Sequence, residues 1–239
     1  IGMGNDPLIF NFQTSPPGIV RGNAVVGGWV FDNRSVGEPS GVVRAFDAIT
    51  GNFAWAWDMG RPGIHTQPLR GEVYTRGTPN VWSLFSVDEE LGLIYAPTGN
   101  ETPDYFGGYR MEASEQFASS VVAIDGETGD VHWSFQTVHH GLWDWDVPAQ
   151  PVLIDLPGDD GEKVKAVLVP TKRAEIFVLN RETGDPIFDI QELPVPQEGG
   201  VPEDYVAATQ PFTMDIPNFR EDMTEAKMWG ITPWDQLWC

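Results

Sequence analysis

Val121-Val122-Ala123-Ile124-Asp125-Gly126-Glu127-Thr128-Gly129-Asp130-Val131-His132-Trp133 is the stretch that decides the fold. A β-branched run leads into Asp-Gly-Glu-Thr-Gly and out through a second short run closed by tryptophan, so it reads as strand, turn, strand. The aspartate can cap the turn through its carboxylate, the second glycine can take the positive φ the turn needs, and the tryptophan can plug the gap between neighbouring units. The same unit stands at Gly41 to Trp57, with Ala45, Asp47, Thr50, Gly51 and a closing tryptophan, and a weaker copy runs from Ile176 to Phe188 through Asn180, Thr183 and Gly184. Repetition of a two-strand unit predicts an all-β fold, most naturally a β-propeller whose blades each carry one copy.

The copies are unevenly spaced, at Asp47, Asp125 and Asn180, whereas a blade usually takes roughly 40 to 50 residues. Extra material must separate the first two. Gly60 to Asn80, rich in Pro, Gly and Arg, is one part, and a hairpin from Trp82 to Pro97 adds strands. Residues 18–31 read as two short strands joined at Gly22-Asn23, and Gln191 to Asn218 reads as a long surface excursion with few strand signals.

Composition agrees with the class. Ten Trp, 20 Pro and 26 Gly among 239 residues disfavour helical bundles. With 35 acidic against 14 basic side chains and a net charge of -21, the chain lacks the cationic footprint that nucleic acid or an anionic membrane demands. The single cysteine, Cys239, permits no internal disulfide, and no apolar run approaches a membrane span. Ile1 in place of an initiator methionine and the abrupt end at Trp238-Cys239 predict a piece of a longer chain.

Chemistry concentrates in His139-His140-Gly141-Leu142-Trp143-Asp144-Trp145-Asp146-Val147-Pro148-Ala149-Gln150-Pro151. The prolines bar a regular helix, so this is a loop, and on residue types alone it is either a structural corner or a functional site. Dinucleotide, phosphate-loop, zinc-protease and nucleophile-elbow motifs are absent. The remaining carboxylates and carboxamides suit a hard cation with oxygen ligands.

Taken together, the repeated Ala-x-Asp-x-x-Thr-Gly-x-x-x-Trp hairpins and Thr137-Val138-His139-His140-Gly141-Leu142-Trp143-Asp144-Trp145-Asp146-Val147-Pro148-Ala149-Gln150-Pro151 resemble the quinoprotein dehydrogenases that use pyrroloquinoline quinone, most of all their membrane-bound glucose dehydrogenase branch. Asn11 to Pro17, Thr102-Pro103-Asp104, Pro194 to Gln197, Thr209 to Phe212 and Met228-Trp229-Gly230 extend the likeness along the chain. The resemblance implies a partial propeller domain over residues 1–239, about three to four blades of an eight-bladed whole.

It also implies roles. Asp144 matches the catalytic base, Lys172 the cation that contacts the quinone oxygens, and Trp82 the floor beneath the planar cofactor. Asp32 and Asn33 match a metal-binding pair of the glucose branch, and Asn100 matches the metal-ligand asparagine of the alcohol-oxidising branch. The metal would be Ca2+ or Mg2+. Trp143 and Trp145 are expected to pack around Asp144, and Asp146 to be structural. His65 matches no ligand, at least one of His139 and His140 is expected to be a structural histidine, and Gly141 stands where the glucose branch carries Asp. Asn33 and Asn100 also open glycosylation sequons.

The implied reaction is oxidation of an aldose at C1 to the lactone, with electrons passed to ubiquinone on the periplasmic side of the bacterial inner membrane and any anchor lying outside this segment. Polyol, quinate or other alcohol oxidation with the same cofactor is one rival. A non-catalytic propeller scaffold is another.

Overall fold

The computed structural model describes residues 2–4, 6–158, 161–217 and 224–238. Ile1, Cys239 and Asn218, the end of the expected excursion, lie outside them. Strands β1 (Asn11–Phe12), β2 (Gly18–Val20), β3 (Asn23–Val26), β4 (Trp29–Val30), β5 (Val43–Asp47) and β6 (Phe53–Trp57) build the first blade. Its antiparallel sheet runs β2-β3-β5-β6, with β1 and β4 paired beside it. The second blade, β7 (Ser86–Asp88), β8 (Leu93–Pro97), β9 (Ser120–Asp125) and β10 (Val131–Gln136), is a four-stranded sheet in chain order. The third has β11 (Val152–Pro157), β12 (Lys163–Pro170) and β13 (Ile176–Asn180), and a bridge between Leu179 and Pro186 marks where a fourth strand begins.

The second blade is covered on both faces, and the period of two in a strand shows it. All five residues of β8 are buried. Ile94 and Ala96 pack with Val20, Val43 and Trp57 of the first blade, while Leu93 and Tyr95 face Val167, Val169 and Phe177 of the third.

Each repeat turn does what its residues predict. Asp47 Oδ1 accepts the amides of Ile49 (3.1 Å) and Thr50 (2.7 Å), and Asp125 Oδ1 those of Glu127 (2.9 Å) and Thr128 (2.8 Å). Asn180 Oδ1 accepts from Glu182 at 2.8 Å. The tryptophans tie one blade to the next. Trp55 Nε1 donates to Gly126 O at 3.1 Å, and Trp133 Nε1 to Arg181 O at 3.2 Å. Their rings lie against Gly129 (φ +83°) and Gly184 (φ +79°), where an added Cβ would come within 2.8 Å of the indole. Glycine is therefore required twice over, for its backbone and for its missing side chain. An indole buries roughly 200 Å2, worth on the order of a few kcal/mol.

The excursion after the third repeat differs from the expectation. It contains β14 (Ile190–Pro194) paired with β15 (Thr209–Thr213). Pro194 and Pro211 hide the strand signal, because proline is admitted where no ladder donor is needed.

Antiparallel pairing places connections at alternate ends of the blades. The turns β2–β3, β5–β6 and β9–β10 share one end. The connections β3–β5, β6–β7, β8–β9, β10–β11 and β12–β13 share the other, and every candidate site residue lies on these.

Candidate active site

Five connections converge on one ammonium group. Lys172, after β12, places Nζ 3.1 Å from Asp144 Oδ1 and 3.0 Å from Asp146 Oδ2, both on the β10–β11 connection. Asp146 Oδ2 also accepts Trp82 Nε1 at 3.1 Å from the β6–β7 connection. Its other oxygen accepts the backbone amide of Asn100 at 2.9 Å from the β8–β9 connection. Asp32, from the β3–β5 connection, accepts Asn80 Nδ2 at 3.5 Å. The Lys172 ammonium stands 5.9 Å from the centre of the Trp82 ring.

Asp32, Asn100, Trp82, Asp144 and Lys172 are thus gathered from distant parts of the chain. Asn33 is not tied in: it is exposed, and among the described residues no hydrogen bond joins it to the cluster. Asn100 is 2% exposed, which makes its sequon inaccessible to glycosylation. Asp146, expected to be structural, holds Lys172, Trp82 and Asn100 at once. In Trp143-Asp144-Trp145-Asp146 both acids reach Lys172, while the two indoles stack on each other. The indoles do not form a buried frame: Trp143 is 70% exposed and stacks on Trp145 at 6.2 Å.

The electrostatics are those of crowded acids. Burial, then repulsion from Asp32, Asp146 and Asp144, pushes Asp104 up to about 8. Burial raises Asp32 and Asp146 as well, although Lys172 opposes both shifts. Lys172 is itself held above its ordinary value, burial being outweighed by Asp146 and Asp144. Asp144 has a left-handed backbone (φ +54°), uncommon without glycine and frequent at functional positions.

Among the described residues, the buried oxygens Asn80 Oδ1 and Asn100 Oδ1 of the cluster have no hydrogen-bond partner. Their amide nitrogens are used: Asn100 Nδ2 donates to Asp104 O (3.1 Å) and Gly141 O (2.7 Å), which leaves its oxygen free. Among the described residues no group of three or more His, Cys, Asp and Glu side chains is arranged to hold a metal ion. The orphaned oxygens beside buried carboxylates fit a hard divalent ion, and an indole face beside a fixed ammonium fits a planar anionic quinone.

His65 and His139 are structural ties. His65 bonds Ala56 O (3.0 Å) and Asp130 Oδ1 (2.8 Å), pinning the β6–β7 connection to the next blade. His139 exchanges backbone bonds with the Gln210 carboxamide at 2.8 and 2.7 Å, and its ring reaches Glu192 at 2.9 Å. The β14–β15 hairpin therefore folds back over the site loop. Between them lies a cavity of about 690 Å3 lined by Leu142, Trp143, Trp145, Val195, Val201 and Tyr205 among others.

A family model described as glucose/ethanol/alcohol dehydrogenase, beta-propeller domain, matches residues 2–239. The chain is 44% identical over 239 residues to the glycerol dehydrogenase large subunit of Gluconobacter oxydans (strain 621H), covering all of this chain and 32% of that one. It is 44% identical over 226 residues to the quinoprotein glucose dehydrogenase of Escherichia coli (strain K12), covering 95% of this chain and 28% of that one. The quinohemoprotein alcohol dehydrogenase structure from Comamonas testosteroni superposes with TM-score 0.60 at 22% identity, over 86% of this chain and 32% of that chain, a likeness of fold. The chain spans about a third of the length of the curated relatives it matches.

Proposed function

From the premise that the chain belongs to the glucose/ethanol/alcohol dehydrogenase β-propeller family that uses pyrroloquinoline quinone, we propose that it forms the proton-accepting part of an active site oxidising a polyhydroxylated substrate. The observation that carries this is Lys172 held between Asp144 and Asp146 beside Trp82 and Asn100.

When bound, the quinone supplies a hydride-accepting carbonyl, and the cation supplies Lewis acidity that stabilises negative charge there. Asp32, Asn80 and Asn100 would hold the Ca2+ or Mg2+ ion, and Lys172 and Trp82 the quinone. Asp144, the less buried of the two acids on Lys172, takes the substrate hydroxyl proton as general base. Asp146 keeps the ammonium, the indole and the Asn100 amide in fixed relation, so that no reorganisation is needed as charge develops.

The substrate reading is an aldose oxidised at C1 to its lactone. Polyol oxidation stands beside it, favoured by the full-length match of this chain to a glycerol dehydrogenase subunit and by Gly141 in place of an acid. Ubiquinone as electron acceptor and the periplasmic face of the inner membrane complete the proposal. No helix of the described residues is long and apolar enough to cross a membrane.

The test is a panel of aldoses, polyols and quinate given to the full-length protein loaded with quinone and Ca2+, with an artificial electron acceptor. Oxidation of an aldose with lactone as product supports the first reading, and glycerol oxidation with no aldose turnover replaces it with the second. Cofactor binding without any oxidation would leave a non-catalytic propeller.

A further inference from the structure

His140 sits four residues before Asp144. Its imidazole is 4% exposed and bonds two carboxylates from two other segments. Nδ1 meets Glu115 Oε1 at 3.0 Å, from the short helix α1 (Glu112–Glu115) in the β8–β9 connection, and Nε2 meets Asp204 Oδ1 at 2.7 Å, between β14 and β15. The ring stacks on Tyr205 at 3.8 Å. Its Cε1–Nε2 edge, the one that meets Asp204, fills the space beside Gly107, where an added Cβ would lie 2.2 Å from the imidazole. The Gly107 amide donates to the other oxygen of Asp204 at 2.6 Å. Around this lock Arg110 donates to Gly141 O at 2.6 Å and lies 3.5 Å from Glu115.

Three segments therefore close on one side chain, and the one that carries it is the loop of the base. The backbone of His140 is left-handed (φ +45°), so the loop turns sharply at the lock before reaching Asp144. A ring nitrogen bonded to a carboxylate on each side favours the imidazolium form, which donates twice.

We propose that His140 is a positioning residue for the oxidation, clamping the Asp144 loop between Glu115 and Asp204 and holding the 195–208 segment over the adjoining cavity. The proposal rests on the reading of Asp144 as base. The groups facing the ring are Glu115 and Arg110 from the β8–β9 connection and Asp204 and Tyr205 from the hairpin. Burial disfavours the charged ring, but the bonds to Glu115 and Asp204 win and raise its pKa. The clamp is thus strongest while the ring is charged and Glu115 and Asp204 are ionised, and it weakens as pH rises through that raised value.

The test uses His140→Asn and Asp204→Asn in the full-length protein. Asparagine tolerates the left-handed backbone, so the first change isolates loss of the ring, and the second removes a carboxylate without touching the loop. Amide exchange protection should fall about tenfold or more at residues 138–143 and 198–206 in both variants, with β8 and β9 unchanged. Turnover with bound cofactor should fall about tenfold, because small misplacements of a base are costly. The alkaline loss of protection expected of the unaltered protein should be absent from His140→Asn.

Unchanged protection overturns the clamp. Reduced protection with unchanged turnover overturns the positioning role. Asp144→Asn separates the underlying reading: if that variant retains turnover, Asp144 is not the base, while exchange alone still decides whether the clamp exists.

Discussion

The two ends of the blades are built from similar residues to opposite effect. At the turn end, Asp125 caps its own turn with bonds to residues two and three positions on, and glycine and tryptophan join the unit to the blade on either side. At the loop end, Asp146 bonds partners 64, 46 and 26 positions away, and none is determined by local sequence. A carboxylate satisfied locally contributes to folding. One satisfied only by distant groups, among other buried acids, is held in a costly state that suits ligand binding.

Substitutions at the two ends should separate these roles. The largest effect is expected for Asp146→Ala, which leaves Trp82 Nε1 and the Asn100 amide without acceptors and Lys172 with one carboxylate: about 3 kcal/mol of stability lost in denaturant titration, with weaker cofactor binding by the folded fraction. Gly129→Ala should cost about 2 kcal/mol through its backbone and the Trp55 ring, yet leave the cofactor affinity of the folded protein unchanged. Equal loss of affinity in both variants would erase the distinction between the ends.

The acids of the loop end also predict a pH response. Glu101 is pushed to about 7 by burial and Asp104 to about 8 by burial and its acidic neighbours. Their folded values exceed their unfolded ones, so the folded state holds more protons between about pH 5 and 8 and stability falls as pH rises across that window. Added Ca2+ should flatten this slope in thermal melts, because a cation favours the ionised carboxylates; an unaltered slope would separate the cluster from metal binding. The smallest effect is expected for Asp125→Ala, about 1 kcal/mol without change in the pH slope.

The same contrast explains what the sequence made legible. The turn end could be read directly, because the capping bonds and the glycine of each turn lie within a few residues and recur three times, even though the tryptophan bonds between blades span 71 and 48 positions. Asp32, Trp82, Asn100, Asp144 and Lys172 could be named only through resemblance, and the geometry gathers them in one cluster. Asn33, beside Asp32 in sequence, is exposed and has no hydrogen bond to the cluster among the described residues. Asp146 is legible as a structural acid but not by its partners, and Asn80 is not legible at all, because their bonds run across connections. Trp143 was misjudged because an indole in sequence does not say which side of a loop it faces. The β14–β15 hairpin was concealed by prolines on its strands.

The most direct measurement compares cofactor binding with cofactor reduction in the full-length Asp144→Asn protein. Quinone and Ca2+ should bind within about twofold of the unaltered affinity, since Asp146 still holds Lys172 and Trp82. Single-turnover reduction of the bound quinone by substrate should slow by about a hundredfold to ten-thousandfold. Reduction at the unaltered rate would contradict the account.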